Sequence, residues 1–431
     1  MDKSVIILIV DALVYILTLG YWWRKRGLMN AGVFILSIMT LSHITAFFNY
    51  TLLRNIGMMY YDIQIVPFIF LYLMIMICIY PFLSYKGIIE INVTRIKGLI
   101  RYLTVFVTIV SIEPLFENIY LFLTQTNDYS SLYDSMREGD LKIFSPLGYT
   151  FMGWANHLRT FIPIAFFYYL SQERKKSLFI LGLLLCMLNQ VLFWVNIGGR
   201  GGIISQFFIY FVSFILLRPL FSAELLKKTK KIALILAIPF LVIFILISQS
   251  RFDSHSQISY TQSRLGFSSI FLMYLSEGPV KFNTEMWDAK HNTNGDVNCN
   301  YFKSLLGMKT YVTYEERDEH YIAKNGRRIE VFYTYVGDFV SDFGIGGCFI
   351  ICILLSILAR SLLCTQHMPF QNFLILVLLL HIYSIGFASN IYRAFGMQKN
   401  ALYTIVIFII LSLCFKPLKS GKYDFNSYGN V

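Results

Sequence analysis

Charge is scarce in this sequence. Only 14% of its 431 residues are Asp, Glu, Lys or Arg, against roughly 25% in an ordinary soluble domain. Hydrophobic residues make up 56%. So little charge cannot clothe one large water-facing globule, and the composition points to a bilayer as the surrounding medium. Proline and glycine, at 10 and 27 residues, are too few for a low-complexity chain, and there is no solenoid-type repeat. Of the 7 cysteines, none stands in a Cys-x-x-Cys pair. Cys78, Cys186, Cys352, Cys364 and Cys414 lie in or beside apolar runs, Cys348 falls near a helix end, and Cys299 is alone in the longest polar stretch. That pattern speaks against a disulfide framework and against a structural zinc site. A GxxxxGK[ST] phosphate loop is missing too, which argues against ATP-driven chemistry.

What is present is a succession of apolar runs. Eleven spans are expected, at approximately 4–22, 31–53, 62–84, 100–122, 148–170, 177–195, 203–218, 232–248, 344–363, 368–387 and 398–415. Each is long enough, or nearly so, for a core that needs ~20 helical residues. The fold class expected is an all-α polytopic membrane protein with one large outer loop. The basic clusters sort to one side. Connectors holding Arg24–Arg26, Lys86 to Arg101, Arg174–Lys176, Arg218, Lys227–Lys231, Arg360 and the C-terminal lysines carry 19 Lys/Arg against 4 Asp/Glu. This is the positive-inside signature, so the net charge of +12 sets orientation and is no nucleic-acid footprint. It places the N-terminus outside and the C-terminus in the cytoplasm. The first span has its basic cluster after the apolar run and no small-residue cleavage site, so it is expected to stay as a helix and not to be removed as a signal peptide.

Three regions follow: a bundle of about eight spans over 1–248, an outer loop over 249–343, and about three spans with a short tail over 344–431. In the loop, SSIFLMYLSEGPVKF is apolar then polar and is expected to be a helix lying on or dipping into the outer face. EMWDAKHNTNGDVNCN, with a turn signal at Asn294-Gly295, is expected to be surface loop.

Candidate site residues stand out as charges in apolar surroundings. Arg200 sits among Gly198, Gly199, Gly201 and Gly202 between two spans. Glycine exposes backbone N–H groups, and the next helix offers its N-terminus; a guanidinium there makes an anion site. The alternative is a tight hairpin whose arginine snorkels to headgroups. Arg159 and His157 lie inside the 148–170 span, where a charge costs at least ~2.5 kcal/mol and calls for a partner or a wet cavity. Glu113 and Glu117, near the outer end of their span, are available to pair with such arginines. Any one of these, like His43 and His381, is more often a satisfied interior polar residue than a catalyst; several together suggest a polar cavity open to the outside. Arg251 and Arg264 stand at the start of the long loop, at the level of a lipid-linked phosphate; a solvated juxtamembrane arginine is the alternative for each.

Taken together, the many spans, GGRGG between two of them, SQSRF opening one long outer loop, YLSEGPVKFN, and the closing VFYTYVGDFVSDFGIGG resemble the Wzy-type O-antigen and capsule repeat-unit polymerases. The resemblance implies a fold similar to the O-antigen ligases and, more distantly, to C-type membrane glycosyltransferases. It implies an inner-membrane enzyme that transfers a growing glycan from undecaprenyl diphosphate to an incoming lipid-linked oligosaccharide unit, in the company of a flippase and a chain-length regulator. By position, Arg200 and Arg251 match the arginines that would hold the diphosphate. Tyr333, in the aromatic-Thr-aromatic stretch, and Asp342, in the Asp-Phe-Gly that follows, join Arg159, His157 and Arg264 as substrate-binding candidates. Glu330 stands where the ligase branch has a histidine and is a candidate base, or else a partner of Arg327 or Arg328. Asp342 and His320 are other candidate bases, and Asp342 is alternatively a helix cap. No metal and no other cofactor is expected, because the first outer connector supplies only Asp62 where metal-dependent relatives carry an acidic pair. A lipid-linked oligosaccharide flippase and a membrane O-acetyltransferase are the rival functions. The orientation makes one prediction: a reporter fused after Val431 that works only in the cytoplasm is active, and activity of an outside-only reporter at that position refutes the topology.

Overall fold

The structure is a computed structural model that describes residues 2–55, 62–93, 95–124, 144–173, 176–231, 242, 245–246, 268–288, 291–311, 314–326, 332–363 and 367–415. Among these residues it is almost wholly helical. In chain order the helices are α1 (Lys3–Arg26), α2 (Ala31–Asn55), α3 (Ile65–Ser84), α4 (Lys97–Thr124), α5 (Pro146–His157), α6 (Phe161–Ser171), α7 (Ser177–Asn196), α8 (Arg200–Leu217), α9 (Ser268–Lys281), α10 (Asn300–Leu305), α11 (Tyr314–Asn325), α12 (Thr334–Leu362), α13 (Asn372–Ile385) and α14 (Phe395–Cys414). Eight of the described helices are long and apolar enough to cross a membrane, which makes this a polytopic, all-α membrane protein. Large apolar side chains face outward on them, with Leu178 and Leu413 each 79% exposed. An exterior of that kind suits lipid and not water.

Local sequence explains where the helices stop. Asp2 caps α1, accepting from the Ser4 N–H at 3.3 Å, and Gly27 ends it at φ 75° with its own N–H on the Trp23 carbonyl at 2.8 Å. A left-handed glycine closing a helix whose last turn reads Arg24, Lys25, Arg26 both satisfies a terminal carbonyl and complements the helix dipole.

The helices pack as neighbouring pairs: α1 and α9 on α2, α4 on α7, α12 on α3, and α13 on α8. α13 is the centre, because every residue from Phe373 to Ile385 is buried. At 14 residues it rises only about 21 Å, short of a bilayer core of ~30 Å. A three-residue parallel pair, β1 (Glu90–Asn92) with β2 (His367–Pro369), lies just before it. Where α1 meets α2, His43 Nδ1 and Asp11 Oδ2 are 2.5 Å apart, with the imidazole stacked on Tyr15 at 3.9 Å.

Several expectations are corrected here. The 148–170 run is not one span: it breaks at Leu158–Thr160 into α5 and α6. Pro163, in the first turn of α6, lacks the N–H that a continuous helix would direct at the Arg159 carbonyl, and its ring crowds that oxygen. Hydropathy averaging does not register such a break. The last part of the loop is helical, since α12 begins at Thr334, ten residues before the expected span. The two readings meet at Gly344, where φ 70° and ψ 179° kink α12. The expected helix at 268–281 is present as α9, and it is bound to α2 by Ser42 Oγ donating to the Leu275 carbonyl at 2.5 Å and Asn49 Nδ2 donating to Ser276 Oγ at 2.7 Å. The stretch over 285–300 is not plain surface loop either. It turns at Asn294 and Gly295 (φ 53° and 88°), as expected, but Thr293, Asp296, Val297 and Asn300 are buried. The 232–248 span lies almost wholly outside the described residues.

Close packing of α9 gives a test. A Cβ on Gly278 would stand 2.0 Å from the Phe387 carbonyl oxygen, whereas one on Gly153 in α5 meets nothing within 4 Å. Gly278→Ala is therefore expected to destabilise by about 1–3 kcal/mol, read as a lowered Tm in detergent, while Gly153→Ala leaves Tm equal or slightly higher. Equal behaviour of the two variants would contradict this seat for α9.

Candidate functional site

Arg159 occupies the break between α5 and α6 and is 3% exposed. Its Nη2 donates to Ser205 Oγ of α8 at 2.8 Å, and its Nη1 points to the Met397 sulfur of α14 at 3.1 Å. Ser205 Oγ is 3.0 Å from His381 Nε2, and His381 Nδ1 is 3.0 Å from the Tyr392 hydroxyl. Among the described residues Nε of Arg159 has no hydrogen-bond partner, and no carboxylate pairs with this guanidinium. Of the two surroundings expected for it, a partner or a wet cavity, the described residues show partners: Ser205 and Met397. Neighbouring amides satisfy each other in the same way: Asn118 donates to Asn189 at 2.8 Å, and Gln206 to Gln190 at 2.8 Å. Glu113 and Glu117 pair with no arginine among the described residues; Glu117 instead accepts from the Ser145 N–H at 3.3 Å. His157 stacks on Tyr403 at 4.0 Å on the margin of this network.

Arg200 opens α8. The glycines around it serve two ends. Gly198, at φ 61°, turns the chain, and the N–H groups of Gly198, Gly199 and Arg200 are used up on Val195, Trp194 and Gly198 carbonyls at 2.9–3.1 Å. Gly202 is glycine for space: a Cβ there would stand 2.0 Å from the Trp194 indole. The N–H groups left over by this turn, with no backbone acceptor among the described residues, are those of Gly201 and Gly202, at the positive end of α8. The guanidinium itself lies over Tyr274 of α9, 5.5 Å from the ring centre, with Nη2 3.3 Å from the hydroxyl.

Tyr274 leads to the start of α12. Its ring is 5.4 Å from Phe332, and the next residue, Tyr333, is buried with its hydroxyl donating to Glu285 Oε2 at 3.1 Å. Thr334 follows at φ 69°, a conformation that a β-branched residue takes only when its surroundings impose it. Here the Thr334 and Tyr335 N–H groups are held by the Ala388 and Gly386 carbonyls, both at 2.9 Å. One turn further, Asp338 accepts from the Asn390 N–H at 2.6 Å and meets Arg393 at 3.5 Å. Lys281 and Glu285 form an ion pair on the near end of α9.

Asp342 is neither a helix cap nor open to a ligand. It lies inside α12, 1% exposed, and its carboxylate accepts from Thr293 Oγ1, the Val297 N–H at 3.0 Å, and the Asn298 N–H and Nδ2 at 2.7 and 2.8 Å. It stitches the 291–300 segment to α12. Asp296 does the same for α11, meeting Lys303 at 2.5 Å, His320 at 2.8 Å and Lys324 at 3.2 Å. His320, 3.8 Å from Tyr311 in a stack, belongs to this stitch. Arg251, Arg264 and Glu330 lie outside the described residues.

Arg200 and the start of α12 at Phe332 and Tyr333 therefore come together along α9 through Tyr274 and Glu285, with Arg159 sealed behind α8 and Asp342 about two turns further along α12 against the 293–298 segment. Missed in the sequence were Tyr274, Glu277, Lys281, Glu285, Asp338 and Arg393. Arg393 carried a signal, being a lone cation in the short connector between the last two spans. Glu277 was within a quoted motif, but a carboxylate followed by Gly-Pro has no periodicity that announces a site. Among the described residues no group of three or more His, Cys, Asp and Glu is placed to hold a metal. No family model, curated protein or solved structure matches the chain.

The Asp296 stitch has a pH signature. Burial alone would raise its carboxyl above the ordinary 3.8, but hydrogen bonds from Lys303, His320 and Lys324 outweigh that and hold it lower. A carboxylate depressed on folding contributes stability that is complete above 3.8 and is lost as the pH falls through the folded value. Wild-type Tm should thus drop on acidification below about pH 4 more steeply than that of Asp296→Asn. Parallel Tm profiles for the two proteins would argue against the stitch.

Proposed function

We propose that this protein is a Wzy-type polymerase of the bacterial inner membrane. It joins undecaprenyl-diphosphate-linked oligosaccharide repeat units on the outer face into O-antigen, capsule or exopolysaccharide. The observation that carries the reading is Arg200: a guanidinium at the first residue of a membrane helix, beside a tyrosine hydroxyl and the Gly201 and Gly202 N–H groups, which have no backbone acceptor among the described residues. A planar fork of donors with a helix N-terminus behind it is matched to a diphosphate.

The chemistry asked of such a grip is modest. The glycan leaves its lipid diphosphate as the acceptor hydroxyl attacks, and negative charge grows on the departing oxygen. Arg200 donates to that oxygen's phosphate and stabilises the charge as it forms. Arg159 is too well sealed to touch the substrate. Its cation is bonded to Ser205, five residues and about 7.5 Å of helix rise beyond Arg200, and it strengthens the positive potential at that end of α8 while fixing α8 against α14. Tyr333 and Asp342 are buried in the frame of the site, where they hold Glu285 and the 291–300 segment.

Deleting the gene and running the surface glycan on a gel tests the reading. A ladder that collapses to a single lipid-linked unit, restored by the wild-type gene, is expected. Arg200→Ala, at normal protein level, should fail to restore it, with a loss of about 100-fold or more in polymer formed; Arg200→Lys should restore part, keeping the charge but not the fork. Repeat units stranded on the cytoplasmic side would instead indicate a flippase, and an intact ladder lacking one modification an acyltransferase.

A further inference from the structure

The row of polar residues along α9 holds one carboxylate without a partner among the described residues. Tyr274, Glu277 and Lys281 are spaced three and four residues apart on α9, with Glu285 four further on, so they line one helix face. Tyr274 meets Arg200; Lys281 pairs with Glu285, which also accepts from Tyr333; Asp338 is held by Asn390 and Arg393; Asp342 is held by Thr293, Val297 and Asn298. Glu277 makes neither a hydrogen bond nor an ion pair among the described residues, although it stands one turn from the Arg200 contact.

Its seat is fixed from both sides. Ser276 is bonded to Asn49 of α2, and Gly278 is pressed against the Phe387 carbonyl. A cavity of about 50 Å³ beside it is lined by Asn49, Tyr50, Ser276, Glu277 and Lys281, room for a water molecule with polar partners. The charges acting on Glu277 are Lys281 and Glu285, which follow it in the chain, and Arg393; Asn49 and Tyr50 of α2 share its cavity.

We propose that Glu277 is the general base of the transfer, an inference that rests on the polymerase reading above. The acceptor hydroxyl oxygen bonds to the anomeric carbon of the donor glycan as the bond from that carbon to the diphosphate oxygen breaks. The electron pair leaves with the undecaprenyl diphosphate, and the hydroxyl proton goes to the Glu277 carboxylate, whose release route is the water-sized cavity toward Asn49 and Tyr50. Arg200 and the base are thus carried to the site by one contact, Arg200 on Tyr274 and Glu277 one turn along.

The ionisation suits that task. Burial raises the Glu277 carboxyl, Lys281 lowers it, Glu285 raises it and Arg393 lowers it, and the outcome is about 7. A base must be deprotonated, so kcat/KM rises with pH and levels off above about 7.

The experiment uses membranes of the deletion strain carrying the full-length protein, with the lipid-linked repeat unit that this strain accumulates as substrate, and follows initial elongation from pH 5.5 to 9. Wild type should show an acid limb of unit slope. Glu277→Gln, isosteric and expected to keep wild-type Tm, should lose about 100-fold or more in kcat with little change in KM, and should lose the limb; Glu277→Asp should keep the limb with a reduced rate. Glu330→Gln serves as comparison and should retain the limb. If Glu277→Gln keeps wild-type rate and limb, or if Glu330→Gln alone abolishes the limb, Glu277 is not the base while the polymerase reading stands. If wild type itself elongates nothing, both fall.

Discussion

The rest of this structure is arranged around a positive charge buried where water is scarce. Arg159 has no carboxylate to neutralise it among the described residues, and its neighbours supply only a hydroxyl and a thioether. Such a group is tolerated when the polar atoms around it satisfy one another, since each unsatisfied one costs free energy in an apolar medium. Ser205, His381 and Tyr392 form that lining, and they come from three separate elements. Holding them in register fixes α8 against α13 and the residues between α13 and α14.

The same requirement gathers the interruptions of helical backbone into one region. Irregular backbone within a membrane protein survives only where protein covers it. The break before α6, the glycine turn before α8, the strained start of α12 and the segment 386–394 are covered in this way. Thr334 and Tyr335 are bonded to Gly386 and Ala388, Asn390 to Asp338, and Arg159 to α8 and α14. Two of these departures, the start of α12 and the segment 386–394, therefore share their partners. Helix ends carry half-charges and free donors, so a place where they converge is also the place best equipped to bind an anion.

Function, in the reading proposed, uses the rim of that region. Arg200 and Glu277 stand on different helices, yet Tyr274 connects them, and α9 is held between α2 and the Phe387 carbonyl. A grip for the leaving group and an acceptor for the proton need a fixed separation, because a displaced base or donor loses most of its effect. The ion pairs and carboxylate stitches on 281–300 and 334–342 keep that end of the protein from shifting.

Much of the fold was legible in the sequence. Low charge, apolar runs of about span length and the placement of basic clusters report the medium, and helix ends at Gly27 and at the GGRGG turn follow from glycine's freedom at positive φ. Arg200 and Arg159 were visible because a charge within an apolar run contradicts its surroundings. What was not legible depends on who meets whom. Pro163 splits an apolar run that hydropathy alone reads as continuous. Asp342 and Asp296, polar in the sequence, are stitches because Asn298 and Lys303 come to them through the turn at Asn294 and Gly295. Glu277 is set apart from Glu285 and Asp338 by having no partner among the described residues, a property of the assembled neighbourhood. Composition and periodicity by themselves determined the solvent this chain folds in and the elements it forms, since both depend on transfer free energies summed along the chain. Which charges are neutralised, and which is left to act, was decided by tertiary structure, because pairing depends on distances between residues far apart in sequence.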